Sequence, residues 1–267
     1  MSIEAIERRE EILRILQEKG KVRGIELSIR FAVSPETIRR DLEMMEQEGI
    51  VKRVYGGAVL IGKTKEEAPY LERQRQFQAE KRAIGKFAAQ MIGDGESILI
   101  DVGTTTLELA KAIRGGEGVT VLTNSLSVVN TLDLSLQRGQ FQGEVMVLGG
   151  TLNPAQQSIR GSLTERMIEN FYVDKAFISV GGITLHEGLS DYDLQESLVT
   201  KAMMKAAKQV IVLADHSKLG IKSFYRLGRL EEADIILCDQ EPPESWRKQI
   251  KQLGIEWIKV EVEDEQR

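Results

Sequence analysis

The stretch Ile98-Leu99-Ile100-Asp101-Val102-Gly103-Thr104-Thr105-Thr106-Leu107 decides the architecture of most of this 267-residue chain. Its apolar, β-prone start reads as a buried strand, Gly103 breaks it, and three threonines open a helix. Such a turn is an anion site by construction. The first N–H groups of a helix have no partner within it, the dipole is positive there, glycine lets a ligand approach the backbone, and threonine hydroxyls add donors. A threonine-capped helix that binds nothing is the plainer reading, and these residues alone leave both open. No Gly-Lys-Ser/Thr follows and no GxGxxG is present, so neither ATP nor NAD is expected.

Outward from this turn, apolar runs recur at 97–101, 119–123, 144–148, 176–180, 210–214, 235–238 and 257–260, with helical patterns between most of them. Strands alternating with helices predict an α/β domain with a mainly parallel sheet, covered by helices on both faces. Small and polar residues gather where strands end: Thr123-Asn124-Ser125, Gly149-Gly150, Gly181-Gly182 and Asp215-His216-Ser217-Lys218. In open α/β sheets that edge binds ligands. Lys218 can neutralise a phosphate, and Asp191 and Glu196 can accept hydrogen bonds from sugar hydroxyls; for either acid, a surface ion pair or a helix cap is the commoner role.

The first sixty residues follow another plan. A helix over 4–18 buries Ile12, Leu13 and Leu16, a short one spans 25–31, and Ser34-Pro35 caps a third on which Ile38, Leu42 and Met45 share a face. A short β-prone run with Lys52 and Arg53, the Gly56-Gly57 turn and a return strand complete a winged helix-turn-helix, whose third helix would enter the DNA major groove. Ser34, Thr37, Arg39 and Arg40 are its candidate contacts, with Lys52, Arg53, Tyr55 and Gly56 on the wing. A mere packing module with a solvated basic face is the alternative. We therefore expect a DNA-binding domain at 1–62, a polar linker at 63–78 and a second domain at 79–267.

Composition bounds the rest. With 42% hydrophobic and 29% charged residues the chain is an ordinary globular one. No run approaches the roughly 18 apolar residues of a membrane span and no secretory signal is visible, so a cytoplasmic protein without membrane partners is expected. A lone Cys238 and two distant histidines offer no disulfide and no zinc cluster, and no metal or cofactor is expected. The net charge of −5 argues mildly against nucleic acid, but the acidity lies elsewhere: residues 1–62 carry 11 Lys/Arg and 11 Asp/Glu, residues 63–267 carry 25 and 30.

The stretch Val33-Ser34-Pro35-Glu36-Thr37-Ile38-Arg39-Arg40-Asp41-Leu42, then Gly49, then Tyr55-Gly56-Gly57-Ala58, resembles the DeoR family of bacterial transcriptional regulators. Tyr55 departs from that pattern, where histidine often precedes the Gly-Gly-Ala turn. The second half is similar to the same family's effector domain at Asp101 to Thr105, Thr123-Asn124, Leu148 to Gly150, Asp174 to Phe177 and Asp215 to Lys218. The resemblance implies a domain related in fold to ribose-5-phosphate isomerase and a phosphorylated sugar as effector, its phosphate on Gly103, Thr104, Thr105 and Thr106. Asp101, Thr123, Asn124, Gly150, Gly181, Asp191, Glu196 and Lys218 complete the expected effector site. The expected function is a repressor of a sugar-utilisation operon, binding double-stranded operator DNA as a dimer or tetramer and released by the effector. An isomerase-like enzyme using Asp191 or Glu196 as base, and an adaptor that no longer binds DNA, are the rivals; the retained arginines speak against the adaptor.

Overall fold

In a computed structural model of the chain, residues 8–9, 11–16, 21–47, 51–60 and 67–262 are described. Contacts divide it into two units, Met1–Thr64 and Lys65–Arg267.

The small unit holds α1 (11–16, with 8–9 also helical), β1 (Lys21–Arg23), α2 (Gly24–Arg30), α3 (Pro35–Gln47), β2 (Val51–Val54) and β3 (Gly57–Leu60). Ile12 and Leu16 from α1, Leu27 from α2, Ile38, Leu42 and Met45 from α3, and Val51 and Ala58 from the sheet form one core. The wing is an antiparallel sheet of three strands ordered β1-β3-β2, where sequence predicted a two-stranded hairpin. β1 offers one buried residue, Val22, between two exposed ones, too short a run for alternation to signal. Gly57 makes this third strand possible: a Cβ there would lie 1.9 Å from the Val22 carbonyl oxygen. The expected ends of the first helix, Gly20 and Gly49 lie outside the described residues, as does the side chain of Lys52.

The large unit contains α4 (Tyr70–Arg75), α5 (Gln78–Gln90), β4 (Ser97–Ile100), α6 (Thr104–Ala112), β5 (Thr120–Thr123), α7 (Leu126–Gln137) and β6 (Glu144–Val147). A hairpin of β7 (Thr151–Asn153) and β8 (Ser158–Arg160) follows, then α8 (Ser162–Ile168), β9 (Val173–Ser179), β10 (Gly182–Thr184), β11 (Gly188–Asp191) and α9 (Leu194–Ala206). The chain continues through β12 (Ala207–Leu213), β13 (Tyr225–Gly228), β14 (Ile235–Cys238), α10 (Glu244–Gln252) and β15 (Glu256–Lys259). All seven apolar runs read from sequence are strands of one parallel sheet, ordered β15-β14-β12-β9-β4-β5-β6.

Alternation along these strands builds two cores. Leu99, Leu122, Ala176, Ile178, Val212 and Ile236 face α8, α9 and α10 through Ile168, Val199, Met203 and Ile250. Ile98, Ile100, Val121, Phe177, Ile211, Leu213 and Leu237 face α5, α6 and α7 through Ile84, Leu109 and Val128. At the lower ends of the strands, Asp174 Oδ2 accepts the Ser97 backbone N–H and hydroxyl, both at 2.9 Å, while Lys208 Nζ donates to Oδ1 at 2.8 Å. The Lys208 bond and the Ser97 donors hold the Asp174 carboxyl well below the usual carboxylate range.

The polar segment read as a linker at 63–78 is shorter than expected. The division falls after Thr64, and α4 belongs to the large unit, with Tyr70 2% exposed. The β7–β8 hairpin and a small antiparallel sheet ordered β10-β11-β13 also escaped the sequence reading; each strand has only three or four residues, and a terminal glycine shortens the patterned part of β10, β11 and β13 further.

Candidate binding cleft and nucleic-acid interface

On the small unit, Ser34 Oγ accepts the Thr37 N–H at 3.1 Å and shares a hydrogen with Thr37 Oγ1 at 2.9 Å, closing the first turn of α3. Ile38 and Leu42 point into the core, which turns Glu36, Arg39 and Arg40 to solvent. Arg39 is clamped by its own helix: Nε and Nη2 donate to Glu36 at 2.9 and 3.0 Å, and Glu43 lies 3.3 Å from Nη1. Arg40 is looser, 3.7 Å from Glu36, with its side chain 76% exposed. Arg53 on β2 donates to Glu43, Tyr55 is fully exposed at the wing tip, and Gly56 supplies the positive φ of +82° that the turn requires. Asp41, in the middle of the same signature, faces inward, and Arg8 Nε donates to it at 2.6 Å.

On the large unit, strand order locates the cleft. From β4 the sheet grows outward through β5 and β6; the chain then returns to β9, on the other side of β4, and grows the opposite way through β12, β14 and β15. Connections therefore diverge above β4 and β9, the switch point where α/β sheets open a crevice. A cleft of about 280 Å³ opens there, lined by Val102 after β4, by Ser179 and Val180 at the end of β9, and by Asp191, Tyr192, Asp193 and Glu196 around the start of α9. The β7–β8 hairpin adds Asn153, Ala155, Gln156 and Arg160, and the segment through α4 adds Glu67 and Arg73.

Burial raises the pKa of several carboxyls in and under the cleft. Asp101, beneath it, accepts the Thr200 hydroxyl at 3.0 Å and the Val102 N–H at 2.8 Å; burial pushes its carboxyl far above the ordinary range, and the nearby Asp191 and Glu196 add to this. Asp191 is pushed up to about 7 by desolvation and then by the Glu67 charge, against the pull of Arg73 and Lys218. Burial also raises Glu196, although its Oε1 accepts from Ser158 and from Asn153 Nδ2 at 2.8 Å. Glu196 Oε2 and Arg160 Nε are buried with no hydrogen-bond partner among the described residues. Unpaired polar atoms in a cleft are the atoms that a ligand's hydroxyls and oxygens can satisfy. Asp193 is different. Burial opposes its charge, but the Glu196 and Gln195 N–H groups at the α9 cap and the Arg160 guanidinium outweigh that and lower it.

Of the residues expected from sequence, Asp191 and Glu196 line this cleft and Asp101 lies under it. Gly103 forms the turn: a Cβ there would lie 2.4 Å from Ser179 Oγ, so only glycine lets the end of β9 close on it. Thr104, Thr105 and Thr106 are buried at the α6 N-terminus, the Thr106 hydroxyl is taken by the carbonyl of Asp101 at 2.8 Å, and Tyr70 of α4 donates to the Gly103 carbonyl at 3.4 Å. Thr123 donates to the Ile100 carbonyl and Asn124 to that of Ile159, so both join strands and neither lines the cleft. Gly150 packs on Thr164, and Gly181 gives room to the Tyr192 ring. Lys218 is also outside the lining, although its charge acts on both Asp191 and Lys81. Sequence reading missed Glu67, Arg73, Asn153, Gln156 and Arg160, which sit in a presumed linker and an unrecognised hairpin; the cluster Arg73 to Gln78 and the run Ser158 to Gly161 were the available signals.

Among the described residues no helix is long and apolar enough to cross a membrane. Residues 8–64 match the DeoR-like helix-turn-helix domain and residues 76–240 the DeoR C terminal sensor domain. Curated relatives include the putative aga operon transcriptional repressor of Escherichia coli O157:H7, 32% identical over 95% of this chain and 93% of that one. The HTH-type transcriptional repressor GlcR of Bacillus subtilis is 33% identical over 95% of each, and the glycerol-3-phosphate regulon repressor of Haemophilus influenzae 31% over 88% and 89%. Among solved structures, ribose 5-phosphate isomerase A from Methanocaldococcus jannaschii aligns with a TM-score of 0.35 and 18% identity over 52% of this chain and 53% of that one. A winged helix-turn-helix joined to a sensor domain, matched nearly end to end by named repressors, places this chain in the DeoR family of transcriptional regulators.

Proposed function

We propose that the protein represses a sugar-utilisation operon and that a phosphorylated sugar in the cleft of the large unit releases it from operator DNA. The observation that carries this reading is the pairing, in one cleft, of buried unsatisfied polar atoms on Glu196 and Arg160 with carboxyls of raised pKa. Carboxyl oxygens accept from hydroxyls, and a carboxyl that takes up a proton also donates, which suits a polyol. The Arg73 and Arg160 guanidiniums in the lining supply positive ends for a phosphate; the first turn of α6, at Gly103 to Thr106, is buried just outside that lining and adds its N–H groups only once uncovered. The relatives' names, aga operon repressor and glycerol-3-phosphate regulon repressor, support the same class of control.

On this reading the protein is a cytoplasmic regulator that turns over no substrate, and Ser34, Thr37, Arg39, Arg40, Arg53 and Tyr55 face operator DNA. Lys52 joins them by its place on β2. One winged helix makes few contacts, and two-fold operators reward dimers, so the working form is a homo-oligomer. Release requires that the ligand prefer the state that fits DNA less well.

A thermal-shift screen of phosphorylated sugars beside their free counterparts tests the reading. Stabilisation by a phosphorylated sugar, with the same compound displacing a DNA duplex selected in vitro by the protein, is the expected result. Stabilisation by free sugars alone, or isomerisation of any tested phosphosugar, overturns it.

A further inference from the structure

The first described residues of the large unit form a wall of the cleft. Glu67, three residues past Thr64, and Arg73 on α4 both line it. Arg73 Nη1 lies 2.8 Å from Glu67 Oε1, with both side chains about 15% exposed or less. Its other donors go to neutral acceptors, Nη2 to Gln156 Oε1 on the hairpin and Nε to the Ala68 carbonyl at 3.0 Å, and the guanidinium stacks over the Tyr70 ring at 5.7 Å. The last turn of α4 is held in turn by buried Lys81, whose Nζ donates to the Arg73 carbonyl at 2.6 Å. One guanidinium thus faces one internal carboxylate across the cleft wall. A phosphate dianion carries more charge than that carboxylate and offers the same fork a bidentate partner.

We propose that Arg73 binds the anionic group of the effector by exchanging Glu67 for it, and that this exchange moves α4 and lowers the affinity of the chain for operator DNA. This rests on the reading of the cleft as an effector site and names the residue through which occupancy is transmitted. Arg73 has two arrangements: paired to Glu67 in the ligand-free, DNA-competent state, and paired to the ligand anion in the released state. Tyr70, donating to the Gly103 carbonyl from the same short helix, moves with it and uncovers the first turn of α6.

The ligand-free half of the proposal is tested by fluorescence anisotropy on a duplex selected in vitro by the wild-type full chain. Glu67→Gln and Arg73→Met both break the internal pair, and both should bind that duplex more weakly with no ligand present, by roughly two- to thirty-fold. Affinities equal to wild type in both variants overturn the proposal. Arg73→Lys, which keeps the charge and loses the fork, should lie between, and a loss as large as that of Arg73→Met with an unaltered circular dichroism spectrum also fits a fork-specific role. The ligand half uses ribose 5-phosphate, glucose 6-phosphate and fructose 6-phosphate. If one of them releases wild type and Arg73→Met alike, this inference fails while the effector reading stands. If none releases wild type, the effector reading fails, and the ligand-free comparison still decides whether the Glu67–Arg73 pair sets DNA affinity.

Discussion

Arg8 and Asp41 form an ion pair at 2.6 Å that ties the helical segment at 8–9 to the middle of α3, with side chains 13% and 7% exposed. The acid that stands directly after the two arginines of the signature therefore serves the fold. Asp41→Ala leaves a partly buried guanidinium with its partner removed, and should destabilise the small unit by about 1.5–3 kcal/mol, the range for hydrogen bonds to charged groups. Faster hydrogen exchange across α3, with exchange in the parallel sheet unchanged, is the expected signature; uniform protection in both units would show that the pair contributes nothing.

Glu36 reaches both arginines of α3, and the Arg39 bond is the chief reason its carboxyl lies below the usual range. Arg40 is the freer of the two for DNA. Arg40→Ala should weaken duplex binding either by about 1–3 kcal/mol with relaxed specificity at one base, or uniformly with a salt slope reduced by about one. Glu36→Gln releases Arg39 and removes a negative charge from the same face, so affinity for a random duplex should rise and its salt dependence steepen. A titration series in salt reads all three proteins; superimposable lines would take both arginines off the interface.

The parallel sheet was legible in the sequence because its inner strands are buried on both faces and read as apolar runs, as Ile98-Leu99-Ile100 and Ile235-Ile236-Leu237 do, while the half-buried edge strands β6 and β15 still carry two or three apolar residues each. Asp191 and Glu196 were legible as candidate acids able to accept from hydroxyls, but not the strand β11 and the helix α9 that bring them to the cleft. The far wall of the cleft was not. Arg160 sits on a three-residue strand and Arg73 on a six-residue helix with a polar, charged sequence, and neither element carries a period. Nor does a sequence distinguish a threonine hydroxyl offered to a ligand from one spent on a carbonyl: Thr106 and Thr123 are both spent, and only the backbone geometry around Asp101 and Ile100 shows it.

Asp191 gives the large unit a pH dependence whose sign is fixed. Its carboxyl is raised from 3.8 to about 7 in the folded protein, so between those values the folded state holds a proton that the unfolded state has lost. Stability from this group is present at low pH and declines as pH rises through that window. Asp191→Asn never charges and escapes the decline. The melting temperature of the variant relative to wild type should therefore climb from about pH 4 to about pH 7 and level off above, with a gain of about 1–2 kcal/mol once solvent screening at this partly exposed site is allowed for. A difference that is flat with pH would place the raised carboxyl elsewhere.

Gly103 and Ser179 meet where the two halves of the sheet diverge. Ser179 Oγ donates to the Val102 carbonyl at 2.7 Å, and a Cβ on residue 103 would lie 2.4 Å from that oxygen and 2.6 Å from the Ser179 Cβ. The backbone at 103 is extended, with φ of 172°, so alanine is unwelcome for its volume and not for its conformation. Gly103→Ala should then destabilise the large unit by about 1–3 kcal/mol, as overpacking does, and should push Ser179 into the cleft it lines. Ser179→Gly removes both clashing atoms. Made in the Gly103→Ala background it should recover part of the loss, giving a favourable coupling between the two sites in a double-mutant cycle read by thermal unfolding. Recovery stays incomplete because Thr106 Oγ1, at 2.9 Å from the same Cβ position, still resists it. Strictly additive effects would mean that the turn relaxes away from β9 instead, and the switch point would then tolerate a side chain where the structure leaves no room for one.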